Sequence, residues 1–322
     1  MDTPIFDKIG CIERLTHHIY SHIKESTMNS VFKSPSRLLV TLQRLLIMAT
    51  VTFGFSTVSA QAATVSVSNH PMSLLSQAVT DGTPAANQIL QAGDVGHHGS
   101  ISPSDMKAIR DSKFVVWFGD ALENSLTGSL KTAPNAISLF DFDAFNRHPL
   151  RDVTGAPIAG TLDPHIWLDP ENAKAITRAL AVIHSHANPE YKETYQANVE
   201  KFAQRMDSAV AQVQQSTQKP RPYWAYHDAY QYIENAAQIQ LAGSVTSDHH
   251  LSPKASQLRW LNENRPANQM CLINQSTAAK GLLAKLQPVN TNVQIEDMSD
   301  SQDFIEGWTR MAQQINQCID SK

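Results

Sequence analysis

Three histidines stand at the edges of regular elements in widely separated segments. They are His97 in QAGDVGHHGSISPSD, His165 in LDPHIWLDP and His227 in YWAYHDAYQYIE. Neutral imidazole nitrogens suit borderline transition metals, zinc above all. No local motif unites these segments, so a fold has to. If a fold gathers the three rings into one cleft, the product is a metal site. Because the ligand form of histidine is neutral, metal affinity is expected to fall as the rings protonate around pH 6.

The elements that must position them follow a strand–helix rhythm. TVSVSN (64–69) alternates like a strand, 73–79 reads as helix and 88–91 as extended. Ser102 caps a helix, with Pro103 in its first turn and Asp105 returning the capping-box bond. KFVVWFG (113–119) is a continuous apolar run, as in a buried parallel strand. Residues 137–140 read as another strand, and Asp169-Pro170 opens a helix through Ala187. After Pro222 the rhythm resumes. Strands are expected at 223–227, 240–245, 270–274 and 292–296, a helix near Asp228, and a closing helix at 301–318. The pattern predicts α/β lobes with parallel sheets.

One stretch breaks the rhythm. Between Pro189 and about Thr217, Tyr191, Tyr195, Val199, Phe202, Met206, Val210 and Val213 recur at helical spacing with no internal Gly or Pro. This is one long helix, read as a stiff strut. The expected organisation is a first lobe at 61–188, a linking helix at 189–218 and a second lobe at 219–322.

Residues 1–60 stand apart. Arg37 and Arg44 lead an apolar run from Leu45 to Val58, followed by the small-residue site Val58-Ser59-Ala60. That is a secretory signal peptide, with no cysteine for a lipid anchor. Residues 1–27 read as a misassigned start, with Met28 as the true one; the alternative is a genuine extension. The 322-residue chain carries 26 Lys+Arg and 30 Asp+Glu. Cleavage after Ala60 would remove 6 and 4 of these, leaving a net charge of −6. No basic face for nucleic acid is expected. Cys271 and Cys318 remain after export, and an even pair in an oxidising compartment reads as one disulfide, with two buried thiols as the alternative.

The order of these features has a specific likeness. His97 lies ahead of the capped SPSD helix, then come DPHIWLDP, a long helix, HDAYQYIE, a late Asp297 in IEDMSD, and the cysteine pair. The chain resembles the metal-binding receptors of ABC importers (the cluster A-I solute-binding proteins), in their zinc-specific branch. The resemblance implies two α/β lobes joined by one rigid helix, with the metal in the cleft between them. It also implies the Cys271–Cys318 disulfide and a monomeric periplasmic receptor that hands Zn2+ to a permease and its ATPase. The implied ligands are His97, His165, His227 and Asp297, with a water or an acid elsewhere as rival to Asp297. Manganese-binding relatives place a carboxylate where His227 stands, which argues for zinc. The chain departs from the zinc branch in two places. The segment 146–161 is short and holds only His148, and Asn274-Gln275 stands where the family carries an acid.

The remaining histidines read blandly. His184 and His186 are expected on a solvated helix surface, and His70 and His98 in loops. His249-His250 is expected in an exposed loop, with a cleft-mouth relay as the alternative. Trp167 is expected to pack the ligand loop. The rival functions are a manganese or iron receptor of the same family, an exported zinc hydrolase, and an adhesin or metal buffer with no transporter. HExxH and G-x-S-x-G signatures are absent, so a non-enzyme is expected.

Overall fold

The computed structural model describes residues 64–94, 101–214, 220–246 and 251–321. The signal peptide, residues 1–27, His97, His98, His249 and His250 lie outside them.

The first lobe is built on β1 (Val65–Val67), β2 (Asn87–Gln88), β3 (Phe114–Trp117) and β4 (Ala136–Ser138), all parallel in the order β2-β1-β3-β4. The second is built on β5 (Arg221–Ala225), β6 (Ile239–Ser244), β7 (Met270–Asn274) and β8 (Val289–Val293), parallel in the order β6-β5-β7-β8. The two sheets thus share one strand order. Apolar strands such as FVVW need cover on both faces, and crossover helices supply it.

In the first lobe these helices are α1 (His70–Thr80), α2 (Pro103–Asp111), α3 (Asn124–Leu130) and α4 (Pro170–Ala187). The expected caps are in place. Ser102 and Asp105 form the reciprocal box on α2, and the Asp169 side chain accepts from the N–H groups of Glu171 and Asn172 to start α4. In the second lobe the helices are α6 (Glu234–Ala237), α7 (Ala255–Glu263), α8 (Lys280–Lys285) and α9 (Phe304–Asp320). Several expected boundaries shift. The helix near Asp228 is a 3-10 turn at Gln231–Ile233 followed by the short α6, and β8 ends at Val293 rather than at Glu296.

The linking helix is α5 (Lys192–Gln214), entered through a 3-10 turn at Pro189–Tyr191. It runs about 35 Å at 1.5 Å per residue. Tyr195, Phe202, Met206 and Val213 are buried along its stripe. It packs on α1 and α4 of the first lobe and on α6 and α9 of the second, so it is laid across both lobes and does not stand free. The main apolar core is continuous through it, from Val65 and Trp167 to Tyr230 and Trp308. The closing helix adds two ties. Trp308 donates from Nε1 to the Leu168 carbonyl at 2.9 Å, and Cys318 forms a disulfide with Cys271 of β7. Among the described residues no helix is long and apolar enough to cross a membrane.

Candidate metal centre

LDPHIWLDP forms a sharp turn. His165 precedes a 3-10 turn at Ile166–Leu168, whose three apolar side chains are fully buried. Asp163 then fixes the ring, its Oδ1 accepting from the His165 backbone N–H at 3.1 Å and meeting Nδ1 at 2.7 Å. A proton on Nδ1 facing this carboxylate leaves Nε2 as the outward nitrogen, the arrangement that orients histidine ligands at metal sites. Nε2 is buried and makes no hydrogen bond among the described residues. Trp167 packs edge-on to the ring at 5.4 Å, and its indole N–H donates to the Glu296 carbonyl at 3.2 Å. The ligand loop of the first lobe is thereby tied to the backbone of the second.

The second lobe contributes from the carboxyl ends of its strands, where α/β sheets bind their ligands. His227 follows β5 and Glu296 follows β8. Glu296 Oε2 lies 3.5 Å from His165 Nε2 and 3.3 Å from His227 Nε2. The two imidazoles are 5.9 Å apart by ring centres. One donor atom from each of His165, His227 and Glu296 falls within 4.8 Å of the others, and all three residues are buried. Two imidazoles and one carboxylate are a donor set that zinc accepts. Burial disfavours a charged His165, yet the neighbouring Glu296 and Asp163 carboxylates outweigh it and push its pKa up to about 9. A cation entering at Nε2 therefore displaces a proton.

Of the four residues expected from sequence, the structure brings His165 and His227 together, and His97 lies outside the described residues. Asp297, the fourth expected residue, makes other contacts in this structure. Its Oδ2 accepts from the Gly93 N–H at 2.7 Å and its Oδ1 from the Ser299 N–H at 3.0 Å, so it braces backbone in both lobes. The carboxylate beside the histidines is Glu296. The cause is the early end of β8: the chain from Gln294 onward is a loop, and Met298 adopts a left-handed conformation at φ 52°. Strand alternation no longer decides which of the two acids faces the rings.

A further group braces the His227 turn. Arg151 bonds both Asp228 oxygens, at 2.6 and 2.7 Å, and both Glu234 oxygens, at 3.1 and 2.7 Å. It sits in the short segment 146–161, where Arg151 bridges to Pro157 and the Val153 carbonyl accepts from the Ser244 N–H at 2.9 Å. The segment is a small hairpin clamped onto the second lobe. Two other histidines differ from expectation, while His186 is exposed on α4 as expected. His184 is buried, bonded through Nε2 to Ser76 Oγ at 2.9 Å, and His70 opens α1 with Nε2 3.1 Å from the Ser301 carbonyl.

Two parallel-sheet lobes, a long helix across both and a buried imidazole–carboxylate cluster between them define a bilobal metal-binding protein. The same fold is seen in the laminin binding protein of Streptococcus agalactiae, described as bifunctional with adhesin and metal transporting activity, at a TM-score of 0.65 and 17% identity over 81% of this chain and all of that one. A ZnuA crystal structure gives 0.66 and 16% over the same shares. Residues 65–318 match the family described as zinc-uptake complex component A, periplasmic, and the chain belongs to that family. Its relatives include the high-affinity zinc uptake system proteins ZnuA of Haemophilus ducreyi and Brucella abortus. The first is 25% identical over 80% of this chain and 93% of that protein, the second 25% over 62% and 72%. The iron-binding protein YfeA of Yersinia pestis is 22% identical over 41% of this chain.

Proposed function

We propose that this protein is a high-affinity zinc receptor that captures Zn2+ between its lobes and delivers it to an ABC-type importer, a permease powered by an ATPase. The observation that carries the reading is the convergence of His165, His227 and Glu296 from both lobes onto one buried point. His97, which precedes α2 in the sequence, completes the set as the fourth ligand. The exported form begins after a cleaved signal peptide, carries no lipid anchor and works as a periplasmic monomer. It binds its ion and is not an enzyme, a reading supported by its membership of the zinc-uptake family. Two imidazoles against one carboxylate favour zinc over manganese or iron.

Calorimetric titration of the exported protein with zinc tests this. One ion per chain is expected, with affinity falling about 100-fold or more in His165→Ala, in line with losses at metal ligands and their supports. Unchanged affinity in a folded His165→Ala protein contradicts the assignment.

A further inference from the structure

Residues 148–163 belong to the first lobe by chain order and dock on the second. Their root is in the first lobe, where Asn172 of α4 accepts from the Asn146 N–H at 2.7 Å and donates to the Asn146 carbonyl at 2.9 Å. The chain then folds into a hairpin closed by the Arg151–Pro157 bridge, with Asp152 accepting from the Thr154 and Ala156 N–H groups at its tip. The tip lies on β6. The Val153 carbonyl takes the Ser244 N–H, and a Cβ at Gly243 would stand 3.1 Å from that same oxygen, so a residue without a side chain permits the approach. The Arg151 side chain, 11% exposed, makes four bonds to Asp228 and Glu234. Asp228 directly follows His227. At the other end, Tyr232 of the second lobe accepts from the His148 N–H at 2.9 Å and donates to the Asp163 carbonyl at 3.0 Å, and the His148 and Tyr232 rings pack at 4.8 Å. Asp163 is the residue that fixes the His165 ring. The hairpin thus ends beside one ligand and is pinned beside the other.

We propose that residues 148–163 form an interlobe strap, and that Arg151 is the positioning residue through which it holds His227 opposite His165 and slows release of the captured cation. The proposal rests on the receptor reading above. Parting the lobes separates His165 from His227. It must also draw Arg151 out from between two carboxylates and Tyr232 away from both ends of the strap. An arginine leaving such a pair strands charges that the interior does not solvate. The strap therefore adds a barrier to opening that the metal itself does not supply. Differences of this kind appear in the dissociation rate more than in the association rate.

The test follows zinc release by stopped-flow transfer to a chelator, in the range where the rate no longer depends on chelator concentration. It compares the unaltered exported protein with Arg151→Met, Arg151→Lys, Tyr232→Phe and the double variant Cys271→Ser with Cys318→Ser. Circular dichroism at the same temperature monitors the fold. Arg151→Met is expected to release zinc about tenfold faster, with smaller accelerations in Arg151→Lys, which keeps the charge without the fork, and in Tyr232→Phe. Loss of a positive charge near a cation would by itself slow release, so the direction separates a strap from a charge effect. The cysteine variant controls for general loss of stability and is expected to release zinc at the unaltered rate. Rates within roughly twofold of the unaltered protein in folded Arg151→Met and Tyr232→Phe overturn the proposal, as does an equal acceleration in the cysteine variant. If Arg151→Met does not fold, Arg151→Lys and Tyr232→Phe decide. Absence of zinc binding by the unaltered protein would instead remove the receptor reading, and this proposal with it.

Discussion

The two sheets share one strand order and use their strand ends differently. In the first lobe the loops after β1 and β3 close on Glu123. Its Oε2 accepts from the Phe118 and Gly119 N–H groups at 2.7 and 3.2 Å, and its Oε1 from Asn69 Nδ2 at 2.9 Å. Burial pushes this carboxyl up to about 8. His70, just beyond β1, is committed to a carbonyl of the other lobe. In the second lobe the ends of β5, β7 and β8 present His227, Gln275 and Glu296 to one another and to His165. Both lobes hold a buried glutamate at the same kind of topological crevice. Glu123 is engaged by backbone N–H groups that a cation cannot replace. Glu296 faces ring nitrogens that can exchange a proton for a metal. The crevice is supplied by the fold, and the donors facing the acid decide whether it braces or binds.

This contrast is sharpest in metal binding. His227→Ala is expected to lower zinc affinity about 100-fold or more, whereas Glu123→Gln leaves it unchanged in the same titration. Weakened zinc binding in Glu123→Gln would break the division of labour between the lobes. Next in size is the clamp on the His227 turn. Arg151→Met leaves Asp228 and Glu234 facing each other without their cation, and should cost about 3–5 kcal/mol in urea unfolding, the usual penalty for removing one partner of a buried ion pair. Replacing Cys271 and Cys318 together by serine removes the tie between β7 and α9. It should cost up to about 4 kcal/mol for a closure spanning 47 residues.

A further effect is a pH dependence of stability, and its sign follows from burial. Glu123 keeps its proton up to about pH 8 when folded, while the unfolded carboxyl releases it near 4.5. Stability of the metal-free protein should fall as pH rises through that window, by at most about 1.4 kcal/mol per pH unit. Glu123→Gln should remove this slope. His184 acts on the other side: burial holds it down to about 4 against an ordinary 6.5, so it draws stability away as pH falls through that range. Denaturant midpoints measured from pH 4 to 9 on the two variants, Glu123→Gln and His184→Gln, separate these contributions.

Much of the scaffold is legible in the sequence because local chemistry dictates it. The Ser102–Asp105 box, the Asp169 cap, the 270–274 strand and the α5 stripe each rest on patterns within a few residues. DPHIWLDP carries its own second clue in Asp163, whose separation of two from His165 lets one carboxylate bond both its backbone and its ring. Glu296 and Asp297 are adjacent acids beyond the end of β8 at Val293, so no strand alternation tells from sequence which of them faces the rings. His184 reads as solvated in sequence, yet it follows Leu180 by one turn on the face that α4 buries. Arg151 gives no local signal, since its partners lie 77 and 83 residues away.

The proposed capture of one zinc ion between the lobes by His165, His227 and Glu296 is open to direct observation. Anomalous diffraction at the zinc edge, on crystals of the zinc-loaded exported protein, would locate it. A single peak is expected, bonded to Nε2 of both histidines and to a Glu296 oxygen at about 2.0–2.2 Å. A peak elsewhere, or one bonded to Asp297 with Glu296 turned away, would refute the assignment of this centre.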